Sequence, residues 1–217
     1  MGRDLALHYA RAGWHVALHH YRSVEEAIEL QSHARSIGAK MSLFQADLKE
    51  KGAAETLLSR VIKECGLPRL LINNASGFEK DEPLMREENF AMHMMVNLFA
   101  PMRLTQGLHA RAESPCTSIT LGDATLPVCW KNFPSYAISK SALMDWVKAS
   151  APGFRPKLNL YGLLLGPTLR HPRESERHFD ELVSTSRSHK QTSVEEIAAT
   201  IDRLVENSGH DALIDLS

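Results

Sequence analysis

Tyr136 and Lys140 are the residues whose types and spacing speak most directly of chemistry. Four residues apart on a helix, their side chains share one face, where an ammonium can approach the phenol and stabilise phenolate. A free phenol titrates near ~10, so a tyrosine that protonates a developing alkoxide or ring nitrogen works best with its pKa drawn toward the operating pH. The pair alone also fits a solvated helix surface. Asp123, in "TLGDATLP" ahead of the tyrosine, is a further candidate, although a carboxyl group donates a hydrogen bond only when protonated. Upstream stand Asn97 in "VNLFAP", Asn74, Ala75 and Ser76 in "NNAS", Phe78 just beyond, Asp47 and Leu48 in "ADL", and His20, Tyr21, Arg22 and Ser23 in "HHYRS".

The elements that must position these residues follow from the pattern of apolar runs. Val16 to His19, Met41 to Ala46, Leu70 to Asn73, Ser118 to Leu121, Leu158 to Leu165 and Ala212 to Asp215 read as strands, the central ones apolar on both faces. Helical stretches alternate with them, which is the mark of a parallel α/β sheet covered by helices. Ser23 with Glu26 forms a capping-box pattern, and Gly38 closes that helix; Ser193 with Glu196 opens a late helix in the same way. A long helical stretch is expected from about Leu84 to Ala112 despite Pro101, and another from about Pro134 to Ala151, stopped by Pro152 and Gly153. The first helix, Arg3 to Ala12, follows Gly2 with no strand before it.

The 217 residues, with 43% hydrophobic and 24% charged, suit one globular domain spanning 1–217. A formal charge of -1, with both signs interspersed, points away from nucleic acid and from acidic lipid. The longest apolar run, Leu158 to Leu165, is far short of the ~18 to 20 residues of a membrane span, so a soluble, cytoplasmic protein is expected. Cys65, Cys116 and Cys129 form no CxxC pair and read as reduced, structural thiols. His19 and His20 are adjacent at a strand end and point to opposite faces, so no metal site is expected.

Taken in order, "HHYRS", "ADL", "NNAS", "VNLFAP" and Tyr-x-x-x-Lys resemble the short-chain dehydrogenase/reductase family across essentially the whole chain. The resemblance implies a three-layer, doubly wound, Rossmann-like sheet. It assigns Asp47, with Leu48, to the adenine, Asn74, Ala75 and Ser76 to the cofactor border, and Gly166 and Thr168 to the loop facing the nicotinamide. It assigns catalysis to Tyr136, to Lys140, which also holds the ribose, and to Asn97, which holds a water beside Lys140. Each match has a plainer reading as well: Asn73 and Asn74 could close a strand, and Asp47 could cap a helix.

Three departures shape the expectation. The family places Thr-Gly-x-x-x-Gly-x-Gly between a first strand and a first helix, and only Gly2 stands for it here. A turn of that kind offers backbone amides to the pyrophosphate, and the strand before it lies mid-sheet. Either the native chain starts upstream of Met1 or it binds cofactor poorly, and an unfilled central slot is the least expected outcome. Asp123 replaces the usual serine, as in pteridine reductases and the related dihydrofolate- or dihydromonapterin-reducing enzymes. In those, Phe78 matches the aromatic residue that stacks on the pterin and Ser76 the hydroxyl beside it; otherwise Asp123 is a loop residue of an inactive relative and Phe78 is core. Finally, "LLGPT" places Leu165 where the family has proline.

No Asp or Glu lies between Asp4 and Glu25, where NAD selection needs one, and His20, Tyr21, Arg22 and Ser23 stand there instead. Arg22, the Ser23 hydroxyl and the helix N-terminus suit a 2′-phosphate, hence NADP(H); the alternative is a plain cap beside a solvated arginine. The expected activity is NADPH-dependent reduction of a pteridine-like C=N bond, with Ser76, Phe78, Asp123 and Tyr136 at the substrate. A carbonyl or alcohol substrate, or a non-catalytic NADP-binding relative, are the alternatives. The family resemblance also implies a homodimer or homotetramer built on the 84–112 and 134–151 segments.

Overall fold

The strands form where the chain is apolar on both faces: in Leu158–Leu165 most side chains are buried, which a two-residue period permits only when helices cover both sides of the sheet. In this computed structural model the described residues are 1–81, 84–124, 132–170, 175–186, 188–207 and 211–217. The strands are β1 (Val16–His20), β2 (Met41–Gln45), β3 (Leu70–Asn73), β4 (Cys116–Asp123), β5 (Leu158–Leu165) and β6 (Leu213–Leu216). The helices are α1 (Gly2–Arg11), α2 (Val24–Ser36), α3 (Ala53–Cys65), α4 (Glu87–His93), α5 (Ala100–Arg111), α6 (Pro134–Phe154), α7 (Glu176–Thr185) and α8 (Val194–Glu206). Every ladder is parallel, so the fold is the doubly wound α/β class expected from the sequence.

Four local expectations are corrected. Ser23 makes no side-chain cap bond, whereas Ser193 accepts from the Glu196 N–H at 3.0 Å. Ser193 has the extended backbone of an N-cap (ψ 155°), but Ser23 (ψ 62°) does not. α6 runs through Pro152 and stops before Pro156, because the residue preceding a proline is driven to extended backbone and Arg155 sits at ψ 149°. β4 extends past the expected strand in both directions, making Asp123 its last residue rather than a loop residue. Finally, the 84–112 stretch is helical from Glu87 onward, with a π-helical segment, Met94–Phe99, between α4 and α5; Pro101 stands directly after that segment, in the first turn of α5.

The sheet falls into two parts, β1 paired with β2 and the order β3-β4-β5-β6. Among the described residues no strand pairs β1 with β3, and their facing edges border a cavity of about 870 Å³ lined by Val16, Leu18, Leu70 and Ile72. The unfilled slot is thus what the structure shows. Helices bridge it on both faces. α1 sends Leu5 and Tyr9 to Ile119, Leu121 and Tyr161 of the larger part, and Ala6 and Ala10 to Leu30, Ala34 and Met41 beside the smaller. On the other side, Phe44 of β2 packs with Leu57 and Leu58 of α3 and Leu104 of α5.

Candidate active site

β4 and α6 bring the proton chemistry together. The Tyr136 hydroxyl donates to Asp123 Oδ2 at 3.1 Å, linking the first turns of α6 to the end of β4. Tyr136 is 9% exposed, and its pKa is pushed up, first by burial and then by the Asp123 charge and hydrogen bond. The four-residue spacing predicts that Lys140 draws that phenol down; burial and the Asp123 carboxylate raise it instead. Lys140 is 6% exposed, donates from Nζ to the Leu121 carbonyl at 2.9 Å, and titrates at about 8, lowered by burial against the opposing pull of Asp123. Tyr136 is therefore held protonated, with an acceptor already in place.

Asn97 lies in the π-helical segment and is fully buried. Its Oδ1 accepts from the Gly77 N–H at 2.7 Å and the Ser76 hydroxyl at 3.2 Å, and its Nδ2 donates to the Gly77 carbonyl at 3.1 Å and to Ser139 Oγ at 3.0 Å. An amide has two donors and two lone pairs, so the side chain is saturated by protein. Through these bonds the side chain clamps the Ser76–Gly77 stretch to α6. Ser139 in turn donates to the Tyr136 carbonyl at 2.7 Å. Phe78, 44% exposed and so not a core residue, stacks on Phe133 with centroids 4.3 Å apart and meets the Tyr136 ring edge-on at 4.8 Å.

The remaining sequence-derived candidates gather at the carboxyl ends of β1, β2, β3 and β5. Gly2 opens α1 against Asn74: a Cβ there would stand 2.6 Å from Asn74 Nδ2, so a larger residue would require the Asn74 amide to shift. His20 ends β1 with its Nδ1 buried and unpartnered, and the Arg22 guanidinium lies over the Tyr21 ring, 5.1 Å from its centroid. The uncapped Ser23 hydroxyl stands beside them at the N-terminus of α2. Asp47 is held below its usual pKa: burial acts to raise it but is outweighed by hydrogen bonds from the Lys49 N–H and Tyr21 and by the Lys49 ammonium. Leu48 and Ala75 pack into the cluster around Phe44. Gly166 and Thr168 follow β5, and the Thr168 hydroxyl bonds back to the Gly166 carbonyl at 3.0 Å.

Sequence reasoning passed over Asp81, His93, Ser135 and Ser139. Ser135 and Ser139 flank Tyr136 in "PSYAISKS", and Ser139 lies three residues on, on the tyrosine's own face of the helix, which is a usable signal. Asp81 sits in "EKDEP", which reads as a solvated acidic run, and His93 in the apolar "AMHMMV". Cys65 and Cys116 are free thiols, and Cys129 lies outside the described residues. Among the described residues, no helix is long and apolar enough to cross a membrane.

This fold and this site define a class, and the short chain dehydrogenase model matches residues 1–176: the chain belongs to the short-chain dehydrogenase family. Within it, the chain is similar to FolM alternative dihydrofolate reductase 1 of Brucella suis, whose crystal structure is a complex with NADP, at 25% identity and TM-score 0.90, covering 99% of this chain and 88% of that one. The Brucella canis counterpart superposes with the same TM-score at 24% identity, covering 99% and 87%. A hydroxynaphthalene reductase of Aspergillus fumigatus is 26% identical over 159 residues, 72% of this chain and 58% of that protein.

Proposed function

We propose that the chain is an NADPH-dependent reductase of a pteridine-like C=N bond. The observation that carries this reading is the Tyr136–Asp123 hydrogen bond beside the half-exposed Phe78 ring. A flat heterocycle can lie against Phe78 with a ring nitrogen directed at the Tyr136 hydroxyl. The FolM neighbours, named as dihydrofolate reductases, support the same substrate class.

The residues present fit NADP(H). Arg22 and the Ser23 hydroxyl, at a helix N-terminus with no acidic side chain between Asp4 and Glu25, suit the 2′-phosphate. Gly2, at the start of α1, would receive the phosphates, Asp47 the adenine and Lys140 the ribose, while Asn74 to Ser76 would border the cofactor and Gly166 and Thr168 the nicotinamide. When bound, NADPH would supply the hydride for the ring carbon. Tyr136 gives its proton to the adjacent nitrogen; the resulting phenolate would stand beside a carboxylate, so Asp123 takes up a proton from solvent and returns it to the phenol. Lys140, on the same helix face, offsets the charge meanwhile. We further propose a homodimer or homotetramer built through the 84–112 and 134–151 segments, where Phe99 of the π-helical segment (42%) and Ile138 of α6 (46%) are exposed.

NADPH consumption measured with a dihydropterin, dihydrofolate and simple ketones tests the substrate. Preferred turnover of the pterin or folate is expected. Preference for ketones would move the chemistry to carbonyl reduction. NADPH binding without turnover of any substrate would instead identify a non-catalytic NADP-binding relative.

A further inference from the structure

Three buried polar side chains from separate segments meet at the start of α6, and the chemistry above uses none of them. Ser135 and His93 are fully buried and Asp81 is 4% exposed. The Ser135 hydroxyl donates to Asp81 Oδ2 at 2.7 Å, and the Ser135 N–H donates to the same oxygen at 2.9 Å. His93 Nδ1 lies 2.7 Å from Ser135 Oγ, and the Glu79 N–H donates to His93 Nε2 at 3.0 Å. Because Nε2 accepts, the imidazole is neutral and carries its proton on Nδ1. The direction of the chain is thereby fixed: Glu79 N–H to His93, His93 to Ser135, Ser135 to Asp81.

Burial keeps the pKa of His93 below its ordinary value, and that of Asp81 is lowered because the bonds from Ser135 outweigh its own burial, so both groups keep these charge states at neutral pH. Phe133 occupies the N-cap position of α6 and has no side-chain acceptor, so the cap comes from Asp81 on another segment. The Asp81 N–H also donates to the Asn132 carbonyl at 2.8 Å. Residues 79–81 continue the segment that carries Ser76 and Phe78, and Ser135 directly precedes Tyr136.

We propose that Asp81, Ser135 and His93 are positioning residues that hold the Ser76–Phe78 segment at a fixed distance from the Tyr136 hydroxyl. The proposal rests on the reading of Tyr136 as proton donor. A misplacement of about 1 Å can cost on the order of 100-fold in rate. Asp81→Ala and Ser135→Ala are therefore expected to lower kcat/KM for the reducible substrate by roughly 10- to 100-fold, with NADPH affinity changed less than about 3-fold. Asp81→Asn, which keeps an acceptor for Ser135, is expected to restore most of the loss. Equal losses in kcat/KM, NADPH affinity and thermal stability, with Asn no better than Ala, would reduce the network to a structural role and overturn the proposal.

A readout without turnover separates the two ideas. Nitrogen NMR of the intact protein is expected to show His93 as the neutral Nδ1-protonated tautomer near neutral pH, with its Nδ1 signal displaced in Ser135→Ala. An Nε2-protonated His93 would overturn the network whatever the activity. Turnover by the parent protein with both alanine variants unchanged would defeat the positioning role alone. Turnover retained by Tyr136→Phe would instead defeat the proton-donor reading and, with it, the role proposed for the network.

Discussion

Around α6, polar groups answer one another: Asn97 uses both donors and both acceptors, Ser135 joins His93 to Asp81, and Tyr136 donates to Asp123. Along β1 and β3 the reverse holds, with strand edges facing a cavity of about 870 Å³ and His20 Nδ1 buried without a partner. Buried polar groups left unpaired cost about 1 to 3 kcal/mol each, whereas a satisfied network is stiff and specific. The proton-transfer half of the site is therefore pre-organised.

The largest break in that comparison should come from Tyr136→Phe, which is expected to cut turnover by ~10²- to 10⁴-fold while leaving NADPH affinity within a few fold. Lys140 comes next. Its folded pKa of about 8 lies below the ordinary 10.5, so between those values the unfolded chain still holds a proton that the folded protein has released. More protons bound to the unfolded state means stability that rises with pH in that window, and below about 8 the full burial penalty applies. The buried tyrosines, Tyr9 and Tyr136, have raised pKa values and act in the opposite direction only above about 10. Denaturation midpoints from pH 8 to 10 should therefore climb more steeply in the parent than in Lys140→Met, by about 2 to 3 kcal/mol across the window. Parallel profiles would show that Lys140 is not desolvated.

Asn97→Ala should lower stability by about 1 to 3 kcal/mol, read by thermal melting, because the Gly77 and Ser139 groups lose buried partners. On the dinucleotide side, Arg22→Ala should weaken NADPH binding about tenfold and leave NADH binding unaltered, since only the 2′-phosphate engages the guanidinium. The smallest effect is that of Ser23→Ala. With no cap bond to lose, it should change stability by no more than a few tenths of a kcal/mol, against about 1 kcal/mol for Ser193→Ala, whose cap is formed.

The parallel strand order was legible because each run from Val16 to Leu213 is locally apolar and separated by helical stretches, and Gly38 ends α2 at φ 76° as its lack of a Cβ allows. What escaped reading depends on long-range geometry. The same Ser-x-x-Glu text caps α8 but not α2, because the backbone angle at the serine is set by the turn leaving β1. Pro152 and Pro156 look alike in sequence, and only the packed length of α6 separates them. Asp123, Phe78 and Tyr136 were visible one at a time as motif residues. Only the family resemblance places them at one substrate, and the Asp81–Ser135–His93 chain beneath them joins segments that no short spacing connects.

Calorimetric titration of the purified 217-residue protein with NADPH and then NADH tests the central claim most directly. Micromolar NADPH binding, with NADH weaker by about tenfold or more, is the result this account requires, because Arg22 and Ser23 offer donors to a phosphate. Equal affinity for both, or no binding of either, would contradict it.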